Sequence, residues 1–100
     1  MAHNWGILGA GAFADRVFAP ALENVKDANL VSVMARKKEK AKAFAEKHDA
    51  ARHYDSPDEL CKDDEVEMVY ISSPTMLHCE HTILAARHGK HVLCEKPMAP

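Results

Sequence analysis

Aromatic residues are scarce in this chain, 6% of its 100 residues, and glycine numbers only 4. That disfavours a β-sandwich core. Alanine supplies sixteen of the residues in the 47% hydrophobic fraction, which points instead to helices packed closely on a thin sheet. Neither sign of charge dominates, since 13 Lys and Arg stand against 15 Asp and Glu for a net charge of −2. Such a chain carries no general field for nucleic acid or an anionic membrane, so neither is expected as a partner. Cysteine is equally sparse. Cys61, Cys79 and Cys94 are odd in number and lack Cys-x-x-Cys spacing, which gives no disulfide framework and fits the reducing cytoplasm. There is no long hydrophobic run either: the longest, Trp5 to Ala14, has ten residues and includes three glycines, against the roughly 20 needed to span a bilayer. No Lys or Arg precedes it, so a chain beginning at Met1 without a signal peptide is expected.

What the sequence does contain is an alternation of short apolar runs with helix-forming segments. Asn4 to Leu8 reads as a buried strand ending in the turn Gly9-Ala10-Gly11, followed by a helix from Ala12 to Asn24 that Pro20 should kink. Leu30 to Ala35 predicts a second strand, and Lys38 to His48 a helix with Ala41, Phe44 and Ala45 on one face. Arg52 to Tyr54 fits a short third strand. Ser56-Pro57-Asp58-Glu59 has the residues of a capping box and starts a short helix at Pro57. Glu67 to Ile71 predicts a fourth strand, Met76 to His88 a helix closed by Gly89, and His91 to Cys94 a fifth strand. Strands and helices in this order mean right-handed crossovers and a Rossmann-type, doubly wound α/β fold with a mainly parallel sheet.

Gly9-Ala10-Gly11-Ala12-Phe13-Ala14 matches the dinucleotide fingerprint G-x-G-x-x-G/A in the expected context of strand, turn and helix. Gly9 permits the tight turn, Gly11 leaves room for a pyrophosphate, and the helix start at Ala12 and Phe13 offers N–H groups to an anion. A glycine turn that binds nothing is the plain alternative, and the flanking elements weigh against it. Where a ribose-binding acid would close the second strand, the sequence has Ala35-Arg36-Lys37-Lys38. Three cations at a helix start are opposed by the helix dipole, and an anion would relieve them; the 2′-phosphate of NADP suits this site better than the bare ribose of NAD. His78 and His81 are spaced to share a helix face, yet no second cluster offers the remaining ligands of a zinc site, so no metal is expected. Cys94-Glu95-Lys96-Pro97 leaves the fifth strand at the carboxyl edge of the sheet, where ligands of such folds collect.

The segments WGILGAGAFA, AKAFAEKH and SSPTMLHCEHTILAARHGKHVLCEKPMA together resemble the N-terminal domain of the glucose-fructose oxidoreductase, inositol dehydrogenase and dihydrodiol dehydrogenase family over nearly the whole chain. The resemblance implies that the turn from Ser72 to Thr75, Pro74 included, passes beside the nicotinamide ribose, with His78 near the cofactor. It also implies that Glu95 is a cofactor-side carboxylate and that Lys96, aimed by a cis bond to Pro97, is the catalytic lysine on the substrate oxygen. Thr75 stands where the family most often has Asn. The family further implies a C-terminal α+β domain beyond residue 100, carrying most of the substrate pocket and mediating homo-oligomer formation, so the chain is expected to be a piece of a longer enzyme. The activity implied is hydride transfer between NADP and a secondary alcohol or ketone of a polyol or sugar-like substrate, such as a sugar, cyclitol or dihydrodiol. A non-catalytic NADP-sensing module on the same fold is the alternative.

Overall fold

The computed structural model describes residues 3–94. Five strands, β1 (His3–Leu8), β2 (Ala28–Met34), β3 (Arg52–Tyr54), β4 (Met68–Ile71) and β5 (His91–Cys94), form one sheet in the order β3-β2-β1-β4-β5. Every neighbouring pair is parallel, with Leu8 opposite both Met34 and Ile71. The chain winds outward from β1 to one edge and then returns to β1's other side. That reversal leaves a crevice between the carboxyl ends of β1 and β4.

Side-chain alternation along the strands builds two cores, one on each face of the sheet. Leu8, Met34 and Ile71 join Leu60, Cys61, Val66 and Ala85 on one face. Their neighbours Ile7, Val33 and Tyr70 join Ala14, Ala19, Phe44 and Ala45 on the other. The first core is roofed by α3 (Pro57–Cys61) and α4 (Thr75–Arg87), the second by α1 (Ala19–Glu23) and α2 (Lys38–His48). Small alanines let the helices approach closely, and Phe18 fills the remaining gap by stacking on Tyr70 at 3.8 Å and meeting Trp5 edge-on at 5.4 Å.

Two local departures from the sequence-based expectation have structural content, and one expectation, the close of α4 at Gly89, is met. The helix after the glycine turn is not kinked by Pro20 in the ordinary way; a π-helical stretch, Ala14–Phe18, precedes α1, and the Ala19 N–H reaches back five residues to the Ala14 carbonyl. Widening the ladder there puts Pro20 at the beginning of a fresh α-helical segment, where its missing N–H is not needed. The capping box at Ser56 is not made: Ser56 occupies the N-cap position in extended conformation, but no side-chain bond caps the helix, and Pro57 alone marks its start. Gly89 lies one residue beyond the His88 cap at φ 74°, and its N–H and that of Lys90 close a Schellman turn on Ala86 and Ala85.

Two polar clusters tie the layers together. Asp15 accepts from Lys47 at 3.0 Å and pairs with His48 at 2.7 Å, and the His48 contact, followed by Lys47, holds its carboxyl below the usual range. Asp63, with a side chain only 6% exposed, receives both Arg52 nitrogens at 2.8 and 3.1 Å, the Tyr54 hydroxyl at 2.8 Å and the Glu65 N–H at 3.0 Å. Burial pushes the Asp63 pKa up, and the bonds to Arg52, Tyr54 and Glu65 more than reverse that, leaving it low. Lys90 completes the knot by donating to the Asp63 and Val66 carbonyls. None of the helices is long and apolar enough to cross a membrane, among the described residues.

Candidate functional site

At the carboxyl edge of the sheet a cleft of about 1150 Å³ opens over the crevice between β1 and β4. Its floor and walls come from the ends of three strands: Gly9 to Gly11 and Phe13 after β1, Met34 to Lys37 at the end of β2, and Tyr70 with Ser72 to Pro74 at the end of β4. Leu77, His78 and His81 of α4, Lys40 of α2 and Pro57 of α3 complete it.

The glycine turn is shaped by the chain that faces it. Gly9 has φ 101°, and a Cβ there would lie 2.6 Å from the Ser73 nitrogen and 2.7 Å from its Cα. Its own N–H is engaged by the Met34 carbonyl at 2.9 Å, so Gly9 acts as the hinge of the turn. At Gly11 a Cβ would meet the Ser72 hydroxyl at 3.0 Å and the Ser72 carbonyl at 3.1 Å. The missing side chain lets the turn after β4 draw up against the turn after β1. The Ser72 hydroxyl at this junction is buried and has no hydrogen-bond partner. An unpaired buried hydroxyl costs on the order of 1–3 kcal/mol, a debt that a bound polar group would relieve. A nucleotide fits the residues present: a glycine turn at a helix start, an unsatisfied hydroxyl beside it, and cations at the far lip.

The lip differs from the sequence-based expectation in one residue. Arg36 and Lys37 line the cleft, but Lys38 does not, and Lys40 takes its place. Lys37 is the N-cap of α2 in extended conformation, so residues 37 and 40 fall on the same side of its first turn while 38 rotates away. Glu39 sits in that turn as well, which partly offsets the cationic crowding.

On the opposite wall, two imidazoles of α4 converge on Ser73. His78 Nε2 donates to the Ser73 carbonyl at 2.6 Å, and His81 Nδ1 lies 2.8 Å from the Ser73 hydroxyl. Burial lowers the His81 pKa, opposed by nearby Glu80 and reinforced by His78. The spacing that places both rings on one helix face thus serves Ser73. Among the described residues no group of three or more His, Cys, Asp or Glu is arranged to hold a metal ion.

Of the candidate site residues, Gly9, Gly11, Phe13, Arg36, Lys37, Ser72, Pro74 and His78 meet at the cleft, with Phe13 about half exposed at its edge. Ala12 is not among its lining residues. Thr75 opens α4, and Glu95, Lys96 and Pro97, with the expected cis bond between the last two, lie outside the described residues. Sequence reasoning did not single out Lys40 or Tyr70. Lys40 was signalled only by its spacing of three from Lys37.

Comparison with known proteins agrees with this architecture. Residues 3–100 match the description "Oxidoreductase family, NAD-binding Rossmann fold". A scyllo-inositol 2-dehydrogenase (NADP(+)), IolU, of Bacillus subtilis (strain 168) is 41% identical over 95 residues, covering 95% of this chain and 29% of its own. A trans-1,2-dihydrobenzene-1,2-diol dehydrogenase of Xenopus tropicalis is 37% identical over 100 residues, covering 99% of this chain and 30% of its own. The crystal structure of KijD10, a 3-ketoreductase from Actinomadura kijaniata in complex with TDP-benzene and NADP, superposes with a TM-score of 0.91 at 34% identity, over 97% of this chain and 30% of that one. The chain thus spans about three-tenths of the length of these relatives. With its parallel sheet, glycine turn and matched length, the chain belongs to the oxidoreductase family with an NAD-binding Rossmann fold.

Proposed function

We propose that residues 1–100 are the dinucleotide-binding domain of an NADP-dependent oxidoreductase that interconverts a secondary alcohol and a ketone on a sugar, cyclitol or dihydrodiol. The observation that carries this reading is the convergence on one cleft of the glycine turn, the unpartnered Ser72 hydroxyl and the Arg36, Lys37 and Lys40 lip. When bound, the nicotinamide cofactor supplies the hydride donor or acceptor. Gly9 and Gly11 keep the β1 turn low enough for a pyrophosphate above it, and the backbone at Ala12 and Phe13 offers N–H groups to the phosphates. Ser72 contributes its free hydroxyl, while Pro74 and His78 shape the wall on the nicotinamide side. Lys96, which follows Glu95 in the sequence, polarises the substrate oxygen and stabilises alkoxide charge as it develops.

NADP is favoured over NAD because Ala35 offers no carboxylate to accept from a ribose 2′-hydroxyl or to repel a 2′-phosphate, and Arg36, Lys37 and Lys40 line the same cleft. The names of IolU and the KijD10 complex, which both mention NADP, support this choice. Substrate determinants would lie in a second domain of the complete protein, through which we expect it to form a homo-oligomer. The free cysteines Cys61, Cys79 and Cys94 suit a cytoplasmic location.

The test is the ratio of kcat/KM for NADPH to that for NADH in the complete protein, before and after Arg36→Ala and Lys40→Ala. One charge-assisted bond to phosphate contributes about 1.5–3 kcal/mol, a preference of roughly 10- to 150-fold. Either substitution should remove a large part of it. A wild-type ratio at or below one would refute NADP as the cofactor.

A further inference from the structure

Ser73 is held at three of its atoms by separate parts of the fold. Its backbone nitrogen packs against Gly9, its carbonyl accepts from His78, and its hydroxyl meets His81. A carbonyl can only accept, so His78 Nε2 must carry its proton and His78 serves as a fixed clamp. His81 is different, because a neutral imidazole facing a hydroxyl works as donor or as acceptor. It is only 5% exposed, and Ser73 only 6%. His81 and Pro57 form the partition between the main cleft and a second cavity of about 280 Å³ lined by Asp58, Glu80 and Arg87. The ring lines both cavities, and among the described residues its hydrogen bond goes to a side chain of the cleft wall.

We infer that His81 is a positioning residue for the bound dinucleotide, holding the Ser73 hydroxyl through Nδ1 in the rotamer that meets the ligand. This rests on the dinucleotide reading given above. A serine hydroxyl rotates freely unless a second group fixes it, and a hydroxyl already oriented loses less entropy when a ligand engages it. With His81 attached, the rest of the hydroxyl's donor and acceptor capacity is left for a ligand in the cleft that Ser73 lines. Without it, the hydroxyl turns among several rotamers, and the wall beside the Gly9 turn loses its second clamp.

The experiment is fluorescence titration of the complete protein with NADPH, together with steady-state kinetics. His81→Leu should raise the Kd for NADPH about 3- to 10-fold, the size of one neutral hydrogen bond, with kcat changed less than about twofold. His81→Asn, whose amide stands where Nδ1 stood, should restore affinity, whereas His81→Gln, whose amide reaches the Nε2 position, should not. Ser73→Ala should match His81→Leu, and the double variant should be no weaker than either single one. An unchanged Kd in His81→Leu, additive losses in the double variant, or failure of His81→Asn to restore binding would each overturn the assignment. Should His81→Leu not fold, the comparison of His81→Asn, His81→Gln and Ser73→Ala decides alone. A wild-type protein that binds no NADPH would instead refute the dinucleotide reading, and the role of His81 with it.

Discussion

Replacing Gly9 with alanine isolates how much of this fold depends on the close approach of two turns, and Gly89 provides the internal control. Both glycines have positive φ, 101° and 74°, so an alanine at either is forced into a conformation that L-residues avoid. That conformational cost is about 1–2 kcal/mol. The surroundings differ completely. At Gly89 nothing lies within 4 Å of the added Cβ, whereas at Gly9 it would stand 2.6 Å from the Ser73 nitrogen, 2.7 Å from the Ser73 Cα and 2.9 Å from the Ser72 carbonyl carbon. All three are backbone atoms, which cannot rotate aside as a flexible side chain would. Relieving such a contact requires the turn after β4 to retreat, and overpacking of this kind costs typically a further 1–3 kcal/mol. Gly89→Ala should therefore lose about 1–2 kcal/mol and Gly9→Ala about 2–5 kcal/mol, out of the roughly 5–15 kcal/mol typical of a domain. Urea denaturation followed by the fluorescence of Trp5, the only tryptophan in the chain, measures both. Equal losses at the two positions would show that φ alone matters and that the contact between the turns carries no weight. The same variant should also weaken NADPH binding, because the displaced turn carries Ser72 and Ser73.

Ser32 is fully buried in β2 and its hydroxyl has no partner, so Ser32→Ala should stabilise the protein by about 1 kcal/mol and raise its Tm by several degrees in a thermal melt; a destabilised variant would show that the hydroxyl is satisfied after all. Asp63 and Asp15 both have folded-state pKa values below the ordinary 3.8, so the folded protein binds fewer protons and their contribution is complete above about pH 4. It should fade as the pH falls through the lowered values, and Asp63→Asn should both flatten that part of the stability profile and cost about 2–3 kcal/mol at neutral pH through loss of its charged bonds to Arg52. A slope between pH 4 and pH 2 unchanged by Asp63→Asn would assign acid sensitivity to other groups.

Much of this architecture was legible because it is written in local patterns. Runs such as Val31 to Met34 and Val69 to Ile71 can be buried on both sides only in a parallel sheet with helices on either face, and the chain between them holds two helices and a short strand. The glycine turn was legible for the same reason: Gly9 and Gly11 directly follow an apolar strand. What the sequence hid depends on rotation and long-range contact. Arg36-Lys37-Lys38 looks like a contiguous patch until α2 begins at Lys38, after which a residue three further on, Lys40, shares the side of Lys37. Pro20 announced an irregular helix, but the form of the irregularity depends on Ala14 and Ala19 being pressed into the core under Tyr70. The meaning of the His78 and His81 spacing was hidden most fully. It depends on Ser73, which is adjacent to neither in sequence and arrives between them only when α4 folds back over β4.

The pairing of β1 with β4 also sets an order of events. Leu8 and Ile71 are opposite one another in the sheet, yet more than sixty residues of chain separate them, whereas β1, β2 and β3 follow one another with single crossovers. Loop closure disfavours the long-range pairing until the intervening chain is compact, so β4 should dock after the β1-β2-β3 half has formed. The contacts of Gly9 and Gly11 with Ser72 and Ser73 then belong to the last stage of folding. Changes at that seam would mainly accelerate unfolding and leave the folding rate nearly untouched. A nucleotide lying across both banks of the cleft would, by the same logic, act as a latch on the step by which the sheet comes apart.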